Sequence, residues 1–511
     1  MARRAFPLGL GAVTAGLGLF LLGPLAAVMW RADQGFSRFD LAAVSFTFWQ
    51  AALSAALSMA LAVPVARALF RRRFLGRSFV ISILGAPFLL PVIVAVLGLL
   101  SIFGRAGLLA AIAAKFGVTL PPIYGAGGVI LAHVFLNMPF GVRLLLLGWQ
   151  GIPSERFRLA QSLGFVPKAT FLHLEWPMLR LVLPGALMAI FVICLSSFAV
   201  ALTLGGGPRA TTVELSIYQA LRFDFNLGAA ATLAIMQFAL CLAALFLSTA
   251  LPVQHGFGRG LDREVVLQSL KGWRRWADFV LLLMAMCFLL LPLGGLFING
   301  FWGLSALPAP IWLAALRSVG VALCAAFLAC LLAFVLARAS LQFGRSFDAV
   351  AMLPLATSSL VLGTGIFLII HPFISPAKAA LVITILTNGC LSLPFAFRIL
   401  LPDLRRIYED YGRQIALYGL EPWAALRFVI WPRMRRAIGF AMGVTAALSM
   451  GDLGVITLFA SQDGATLPMM IARLLGAYKM ETAASASLFL VILTFGIFWL
   501  FDYGGRRHAQ D

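Results

Sequence analysis

The sequence predicts an all-α polytopic membrane protein with about twelve transmembrane helices, arranged as two homologous six-helix halves. Three observations support this fold class. The chain of 511 residues is 62% hydrophobic and only 11% charged, whereas roughly 25% of residues are charged in globular proteins. Apolar runs of about 20 residues recur along its whole length. A polar segment that interrupts these runs occurs twice, 255 residues apart.

The apolar runs are each long enough to cross about 30 Å of hydrocarbon. The first run follows Arg3 and Arg4, but it is too long for the apolar region of a signal peptide and is kept as a span. The predicted spans are 8–29, 43–66, 79–103, 127–149, 181–204, 229–251, 278–299, 312–337, 347–370, 379–401, 436–460 and 483–502.

The repeat aligns without a gap and predicts two permease-like halves, 1–252 and 278–511, joined by a linker at 253–277. Its period is far too long for a solenoid unit, whereas duplicated membrane halves are common in transporters. The recurring residues are Pro139-Phe140, Arg143, Arg158, Gly164, Pro167, Trp176-Pro177 and Arg180, which return as Pro394-Phe395, Arg398, Arg413, Gly419, Pro422, Trp431-Pro432 and Arg435.

The distribution of basic residues predicts the orientation. With the N-terminus in the cytoplasm, 29 of the 39 lysines and arginines lie at cytoplasmic ends and loops. Both termini, the linker and both polar segments are therefore predicted to be cytoplasmic. The formal charge of +20 does not indicate nucleic-acid binding, because the charges lie in short loops between apolar spans.

Each polar segment follows the same pattern. A helix is predicted to stop at Gly164 or Gly419, because glycine readily adopts the left-handed conformation. Pro167 or Pro422 then begins a second short helix, and the chain is expected to turn back into the membrane at the next Trp-Pro pair. An amphipathic helix that only anchors the protein to lipid would look similar, but two copies favour docking to two equivalent partners. In the second copy the predicted apolar face comprises Tyr408, Tyr411, Ile415 and Tyr418.

These segments resemble the cytoplasmic coupling motif in the permease subunits of binding-protein-dependent ABC importers. That motif reads Glu-Ala-Ala, three residues, Gly, nine residues, Ile, one residue, Leu-Pro. Both copies here depart from it in having arginine at the acidic position and tryptophan before the proline. The matching positions are Arg158-Leu159-Ala160, Gly164, Leu174 and Trp176-Pro177, and then Arg413-Gln414-Ile415, Gly419, Val429 and Trp431-Pro432.

Two further stretches resemble the permeases of thiamine importers. The first runs from Leu204-Gly-Gly-Gly-Pro208 through Ala210-Thr-Thr-Val-Glu-Leu215 to Ile217-Tyr-Gln-Ala220. The second comprises Leu448-Ser-Met-Gly-Asp-Leu-Gly-Val455 and Thr466-Leu-Pro468.

The resemblance implies the type I ABC importer permease fold in a bacterial inner membrane, with one coupling helix per half at about 153–177 and 408–432. It implies two copies of a cytoplasmic ABC ATPase subunit and a periplasmic thiamine-binding protein as partners, besides the lipid bilayer. The residues it implies for ATPase coupling are Glu155, Arg158, Gly164, Pro167, Pro177, Asp410, Arg413, Gly419, Pro422 and Pro432.

The sequence predicts no catalysis by this chain. None of the five lysines stands in a Gly-x4-Gly-Lys-Ser/Thr phosphate loop, so ATP and magnesium are expected on the partner ATPase. The five histidines share no motif, and the six cysteines lie within apolar runs without metal-ligand spacing. We therefore predict no catalytic residues, no metal and no cofactor bound by this chain.

Polar residues at membrane depth are costly and suggest function. Asp452 either lines a translocation pathway, where its charge would offset a thiazolium cation, or satisfies backbone donors at a broken helix. Its counterpart in the first half is Ser197, so a symmetric charge pair is excluded. Thr211 and Thr466 either belong to external re-entrant gate segments or form ordinary turns. Asn137 and Asn388 are expected to bond between helices.

The leading function is therefore an ATP-driven importer permease for thiamine, possibly including its phosphate esters. The same class of importer carrying ferric iron, a polyamine or an inorganic anion is the alternative. An ion-coupled secondary transporter is remote, since it predicts paired intramembrane charges on the coupling path and Asp452 has no partner.

Overall fold

The structure is a computed structural model of the chain. It describes residues 8–32, 38–72, 74–119, 121–205, 207, 210–249, 273–344, 346–460 and 464–507. Every regular element in these ranges is helical.

The N-terminal part of the chain contains thirteen α-helices, and a π-helical turn at Phe171–Glu175 connects α9 to α10. They are α1 (Leu8–Arg31), α2 (Arg38–Arg71), α3 (Arg77–Ile83), α4 (Ala86–Leu89), α5 (Val92–Phe103), α6 (Leu108–Lys115), α7 (Ala126–Gln150), α8 (Ser154–Ser162), α9 (Pro167–Thr170), α10 (Trp176–Leu195), α11 (Phe198–Leu204), α12 (Val213–Arg222) and α13 (Leu227–Thr249).

The C-terminal part contains ten more, with a π-helical turn at Ala425–Ile430 and 3₁₀ turns at Leu304–Ala306 and Leu353–Ala356. They are α14 (Trp273–Phe301), α15 (Ala309–Phe343), α16 (Ser346–Met352), α17 (Ser359–Ile370), α18 (Pro376–Leu417), α19 (Pro422–Ala424), α20 (Trp431–Met450), α21 (Gly454–Phe459), α22 (Leu467–Gly476) and α23 (Met480–Arg507).

The predicted fold class is confirmed. Among the described residues, 11 helices are long and apolar enough to cross a membrane, and a bent pair raises the number to 12 if it forms one span. That pair comprises Ser346–Ala356 and Ser359–Ile370, which meet at 84°. The chain is thus a multi-pass helical membrane protein.

The helices cluster into two compact units that are not contiguous in sequence. The larger unit contains Met1–Asp40, Val213–Ala239 and Gly300–Asp511, and the smaller contains Leu41–Thr212 and Leu240–Asn299. Each unit therefore includes the first span of the opposite sequence half. The predicted halves stay a prediction based on the repeat. Residues 253–272 of the predicted linker lie outside the described residues, and 273–277 begin α14.

The larger unit is built around α15, α18, α20 and α23, and α1 packs against α17. Close approach of α1 requires a glycine, since a Cβ atom on Gly365 would lie 2.3 Å from the carbonyl oxygen of Pro24. A buried apolar core joins α15, α18 and α20 through residues that include Leu336, Leu400 and Met434.

In the smaller unit, α7 packs against α4, α5, α10 and α11. The α14 helix contacts this group closely, because a Cβ atom on Gly98 of α5 would lie 2.9 Å from the carbonyl oxygen of Pro292. Near the start of the first polar segment, Trp149 is fully buried and stacks on Phe70, with ring centroids 6.2 Å apart.

Candidate functional sites

The two polar segments, defined here as residues 153–177 and 408–432, contain the same helix stop. In the first polar segment α8 ends at Gly164, whose φ is 71°. Phe165 N donates to Ala160 O at 2.9 Å, and Gly164 N donates to Gln161 O at 3.0 Å. These two bonds form a Schellman motif, in which the left-handed residue lets the chain satisfy the last carbonyls of the helix.

The second polar segment repeats this geometry. Gly419 has a φ of 57° and follows the end of α18. Leu420 N donates to Ile415 O at 3.1 Å, and Gly419 N donates to Ala416 O at 3.2 Å. The predicted left-handed glycine is therefore confirmed in both copies. The helix before it differs, because α18 continues unbroken from the span into the second polar segment whereas α7 and α8 are separate.

Beyond each glycine the proline begins a helix, as predicted, but the chain does not turn at the Trp-Pro pair. Pro167 and Pro422 stand in the first turns of α9 and α19. The helical path then runs through one π-helical turn directly into α10 or α20, so that residues 167–195 and 422–450 are each continuously helical. The predicted turn at these pairs is wrong. A widened turn just before Pro177 and Pro432 accommodates a residue that lacks an N–H and crowds the preceding carbonyls.

The side chains around both glycines are exposed and include large apolar groups. Clusters of such groups on a surface mark interaction sites. Of the predicted apolar face in the second segment, Tyr408 and Tyr411 pack against the core, whereas Tyr418 is exposed. The exposed groups are Leu159, Leu163 and Val166 in the first segment and Leu417, Tyr418 and Trp423 in the second.

The predicted coupling residues comprise polar side chains and residues that determine the backbone path. Glu155 accepts a hydrogen bond from Ser154 Oγ at 3.2 Å. Arg158, Asp410 and Arg413 are exposed at the surface of their helices. The glycines and prolines determine the backbone path described above. The role of these residues in ATPase coupling stays a prediction.

A second pair of sites lies where α10 and α20 break. In the smaller unit the helix is interrupted at Ser196 and Ser197. Ser197 Oγ lies 2.5 Å from His133 Nε2, and Ser54 Oγ lies 3.2 Å from His133 Nδ1. Gln50 Nε2 donates to the carbonyl oxygen of Cys194 at 3.1 Å. Side chains of α2 and α7 therefore satisfy polar groups exposed by the break.

The corresponding break in the larger unit separates α20 from α21 at residues 451–453. Asp452 Oδ1 accepts from Gly454 N at 3.2 Å. Asn388 Nδ2 donates to Ser449 Oγ at 3.0 Å, as expected for an interhelical residue. Asp452 Oδ2 is buried without a hydrogen-bond partner among the described residues.

The two helix breaks lie at matching positions of the 255-residue repeat, and the sequence does not single out His133 as part of the first one. His133 and Asn388 are 255 residues apart, as are Ser197 and Asp452. His133 shares no sequence motif with the other histidines, yet it bonds to the predicted site residue Ser197. The signal that identifies it is the spacing of the repeat itself.

Thr211 and Thr466 each precede a helix of 10 residues, α12 and α22. A 10-residue helix is only about 15 Å long and cannot span the bilayer. Thr211 Oγ1 donates to Gly207 O at 3.1 Å in a local turn. Thr466 is buried, and Leu467 N beside it donates to Ser318 Oγ at 2.7 Å. The pathway or gate role of both threonines stays a prediction.

No group of three or more His, Cys, Asp or Glu side chains among the described residues could hold a metal ion. The free cysteines of this part of the chain include Cys194, Cys330 and Cys390, which are buried in the helix bundle.

The fold defines a multi-pass α-helical membrane protein. No family model matches the chain. It is 35% identical to the thiamine transport system permease protein ThiP of Brucella abortus over 98% of this chain and 96% of that protein. It is 37% identical to ThiP of Salmonella typhimurium over 91% of this chain and 89% of that protein. A putative 2-aminoethylphosphonate transport system permease, PhnV of Salmonella paratyphi A, is 28% identical over 42% of this chain.

The first two of these similarities extend over nearly the whole chain at well above 30% identity. The chain belongs to the family of thiamine transport system permease proteins.

Proposed function

We propose that the chain is the transmembrane permease subunit of an ABC importer that moves thiamine into the bacterial cytoplasm. The observation that carries this proposal is the near full-length similarity to thiamine transport system permeases. The multi-pass helical architecture supports it, since translocation requires a set of spans that can enclose a pathway.

The two polar segments dock one ATPase subunit each on the cytoplasmic side, with both chain termini on that side. Their identical Schellman stops support two equivalent docking elements. The exposed apolar groups beside Gly164 and Gly419 suit insertion into a partner groove. Glu155, Arg158, Asp410 and Arg413 supply the polar rim of each contact, and ATP with magnesium binds to the partner.

A periplasmic binding protein delivers thiamine, and the solute passes the helix breaks at Ser197 and Asp452. The carboxylate of Asp452 supports this role, because one oxygen binds Gly454 N whereas the other lacks a partner among the described residues. That free oxygen would attract the thiazolium cation. Thr211 and Thr466 stand before short helices that form the external gate.

Reconstitution tests the proposal. The chain, a co-purifying ATPase and the binding protein would be placed in proteoliposomes, and uptake of radiolabelled thiamine would be measured with and without ATP. We expect ATP-dependent uptake that bulky residues at Gly164 and Gly419 abolish together with ATPase binding. Gly496→Ala is the control, because a Cβ atom there meets nothing within 4 Å. Uptake without ATP, or competition by spermidine or ferric iron instead of thiamine, would overturn the proposal.

The Asp452→Asn variant tests the pathway assignment. The change removes the charge–charge attraction between the carboxylate and the thiazolium, so kcat/KM for thiamine should fall by at least about 10-fold. Asp224→Asn, which removes a charge from an exposed position, is the matched control. Equal transport by Asp452→Asn and the wild type would remove Asp452 from the pathway.

A further inference from the structure

A buried carboxylate joins the first polar segment to α2. Glu175 lies in the π-helical turn before α10, and its side chain is only 3% exposed. Its Oε2 lies 2.6 Å from Arg67 Nε, and its Oε1 lies 2.9 Å from Arg71 Nη2 and 3.4 Å from Arg67 Nη2. Both carboxylate oxygens are thus bound by guanidinium groups that stand one helical turn apart.

The ion pairs of Glu175 with Arg67 and Arg71 fix the orientation of the carboxylate as well as stabilising its charge. A carboxylate that leaves water needs close, well-aligned partners to offset its desolvation. Arg67 is also positioned by the Phe171 ring, whose centroid lies 4.3 Å from the guanidinium carbon. The same end of α2 contacts α14, since Arg72 Nε lies 2.6 Å from Asp278 Oδ2. We refer to Arg67, Arg71 and Arg72 as the α2 basic end.

The second polar segment is attached to its unit by different chemistry. The residue 255 positions after Glu175 is Ile430, which is 1% exposed and belongs to the apolar core of the larger unit. In the helix α15 the sequence Ala66-Arg67-Ala68 recurs as Ala337-Arg338-Ala339 at a spacing of 271 residues, and at that spacing the position of Arg71 is occupied by Gln342. Both members of the Arg71–Glu175 pair are therefore replaced in the second copy.

We propose that Glu175 is a positioning residue that clamps the first polar segment to the α2 basic end, so that movement of this segment reaches α2 through ion pairs. The second polar segment transmits movement through apolar packing instead. Sliding of the first segment past α2 would strand a buried carboxylate, whereas apolar surfaces tolerate a small shift. The transport consequence rests on the proposed function, but the clamp itself does not.

Hydrogen exchange of the full chain in lipid nanodiscs tests the clamp without ATP, solute or partner. Glu175→Gln preserves the shape of the side chain and removes its charge. Arg67 and Arg71 keep side-chain exposures of 27% and 16%, so water can hydrate them in part after the change. We therefore expect amides 168–175 to exchange about 10- to 100-fold faster. Amides 423–430 of the same molecule should be unchanged, which excludes general unfolding.

Two further variants sharpen the experiment. Glu481→Gln removes a carboxylate from the exposed first turn of α23 and should leave both regions unchanged. Arg71→Gln copies Gln342 and retains the Arg67 contact, so it should give an intermediate increase even if Glu175→Gln folds poorly. Exchange of 168–175 within about twofold of the wild type in both clamp variants would overturn the proposal.

The transport readout separates positioning from a purely structural role. In the reconstituted complex, Glu175→Gln should lower the amount of thiamine moved per ATP hydrolysed while the half-saturating thiamine concentration stays the same. An unchanged ratio would overturn the transmission role. If the wild-type complex moves no thiamine but the exchange effect is present, the proposed function fails and the clamp stands.

Discussion

Alanine substitutions at two glycines near the end of α18 should have opposite effects on stability, although Gly412 and Gly419 are only seven residues apart. Gly419 has a φ of 57°, and a Cβ atom there would meet nothing within 4 Å. Gly412 lies inside α18, and its Cβ atom would meet only Tyr408 Cδ1 at 3.9 Å. Neither alanine substitution creates a clash, so backbone conformation alone determines the effect of each.

The magnitudes follow from this geometry. An L-residue in the left-handed region costs about 1–2 kcal/mol, so Gly419→Ala should destabilise the turn by that amount. Alanine in a helix interior is favoured over glycine by about 1 kcal/mol, so Gly412→Ala should stabilise the end of α18. The two variants should therefore differ by about 2–3 kcal/mol, which is about 30- to 140-fold in a local opening constant.

Hydrogen exchange at Gly419 and Leu420 measures this opening, because these amides donate the two bonds of the Schellman motif. After correction for intrinsic rates, the amide of Leu420 should exchange faster than in the wild type in Gly419→Ala and more slowly in Gly412→Ala. Equal shifts in both variants, or slower exchange in Gly419→Ala, would refute the left-handed assignment. Gly164→Ala should repeat the loss in the first polar segment, where φ is 71°.

Two other predictions concern contacts inside each unit. Gly365→Ala should lower the thermal midpoint of the purified chain by several degrees, since its Cβ atom would collide with the backbone of Pro24. Gly496→Ala is the control and should leave the midpoint unchanged, because a Cβ atom there meets nothing within 4 Å. Equal midpoints for the two variants would contradict the close approach of α1 to α17. His133→Leu should destabilise the smaller unit by about 1–3 kcal/mol for each polar partner it leaves unbonded. His133→Asn, which copies Asn388, should recover most of that loss in the same melting experiment, and equal midpoints for all three chains would exclude the hydrogen-bonded cluster.

The spans were predictable because each needs about 20 apolar residues, and composition alone reports that. The breaks within the spans were harder to predict. The third predicted span divides into α3, α4 and α5, and the ninth bends by 84°. Each break is only two residues long, at Leu84-Gly85 and Leu90-Pro91 in the third span and at Thr357-Ser358 in the ninth, so a hydropathy average over a whole span does not detect it. The end of α18 was predicted too early, since apolarity stops near residue 401 whereas the helix continues to Leu417.

The sites were predictable where the backbone determines them. Gly164 and Gly419 have to adopt a conformation that other residues avoid, and the sequence marks both. No comparable feature of the sequence identifies Glu175 as a buried residue. A carboxylate in a polar segment is expected to be solvated, and only the packed position of α2 shows that it is buried between two arginines. The sequence also does not reveal that the first span of each half belongs to the compact unit formed mainly by the other half, because hydropathy identifies spans and not their neighbours.

The two copies agree in backbone geometry and differ in side-chain chemistry. Both keep the left-handed glycine, the initiating proline, the π-helical turn and the later helix break. At the matching positions one copy has Glu175 and Ser197 where the other has Ile430 and Asp452. The first copy therefore buries the Glu175 carboxylate in its polar segment, whereas the second copy buries the Oδ2 atom of Asp452 at the helix break. Because an unpaired buried charge is costly, each of these carboxylates needs a stabilising partner. Arginines of α2 supply it for Glu175, whereas Asp452 accepts a hydrogen bond from the backbone N–H of Gly454.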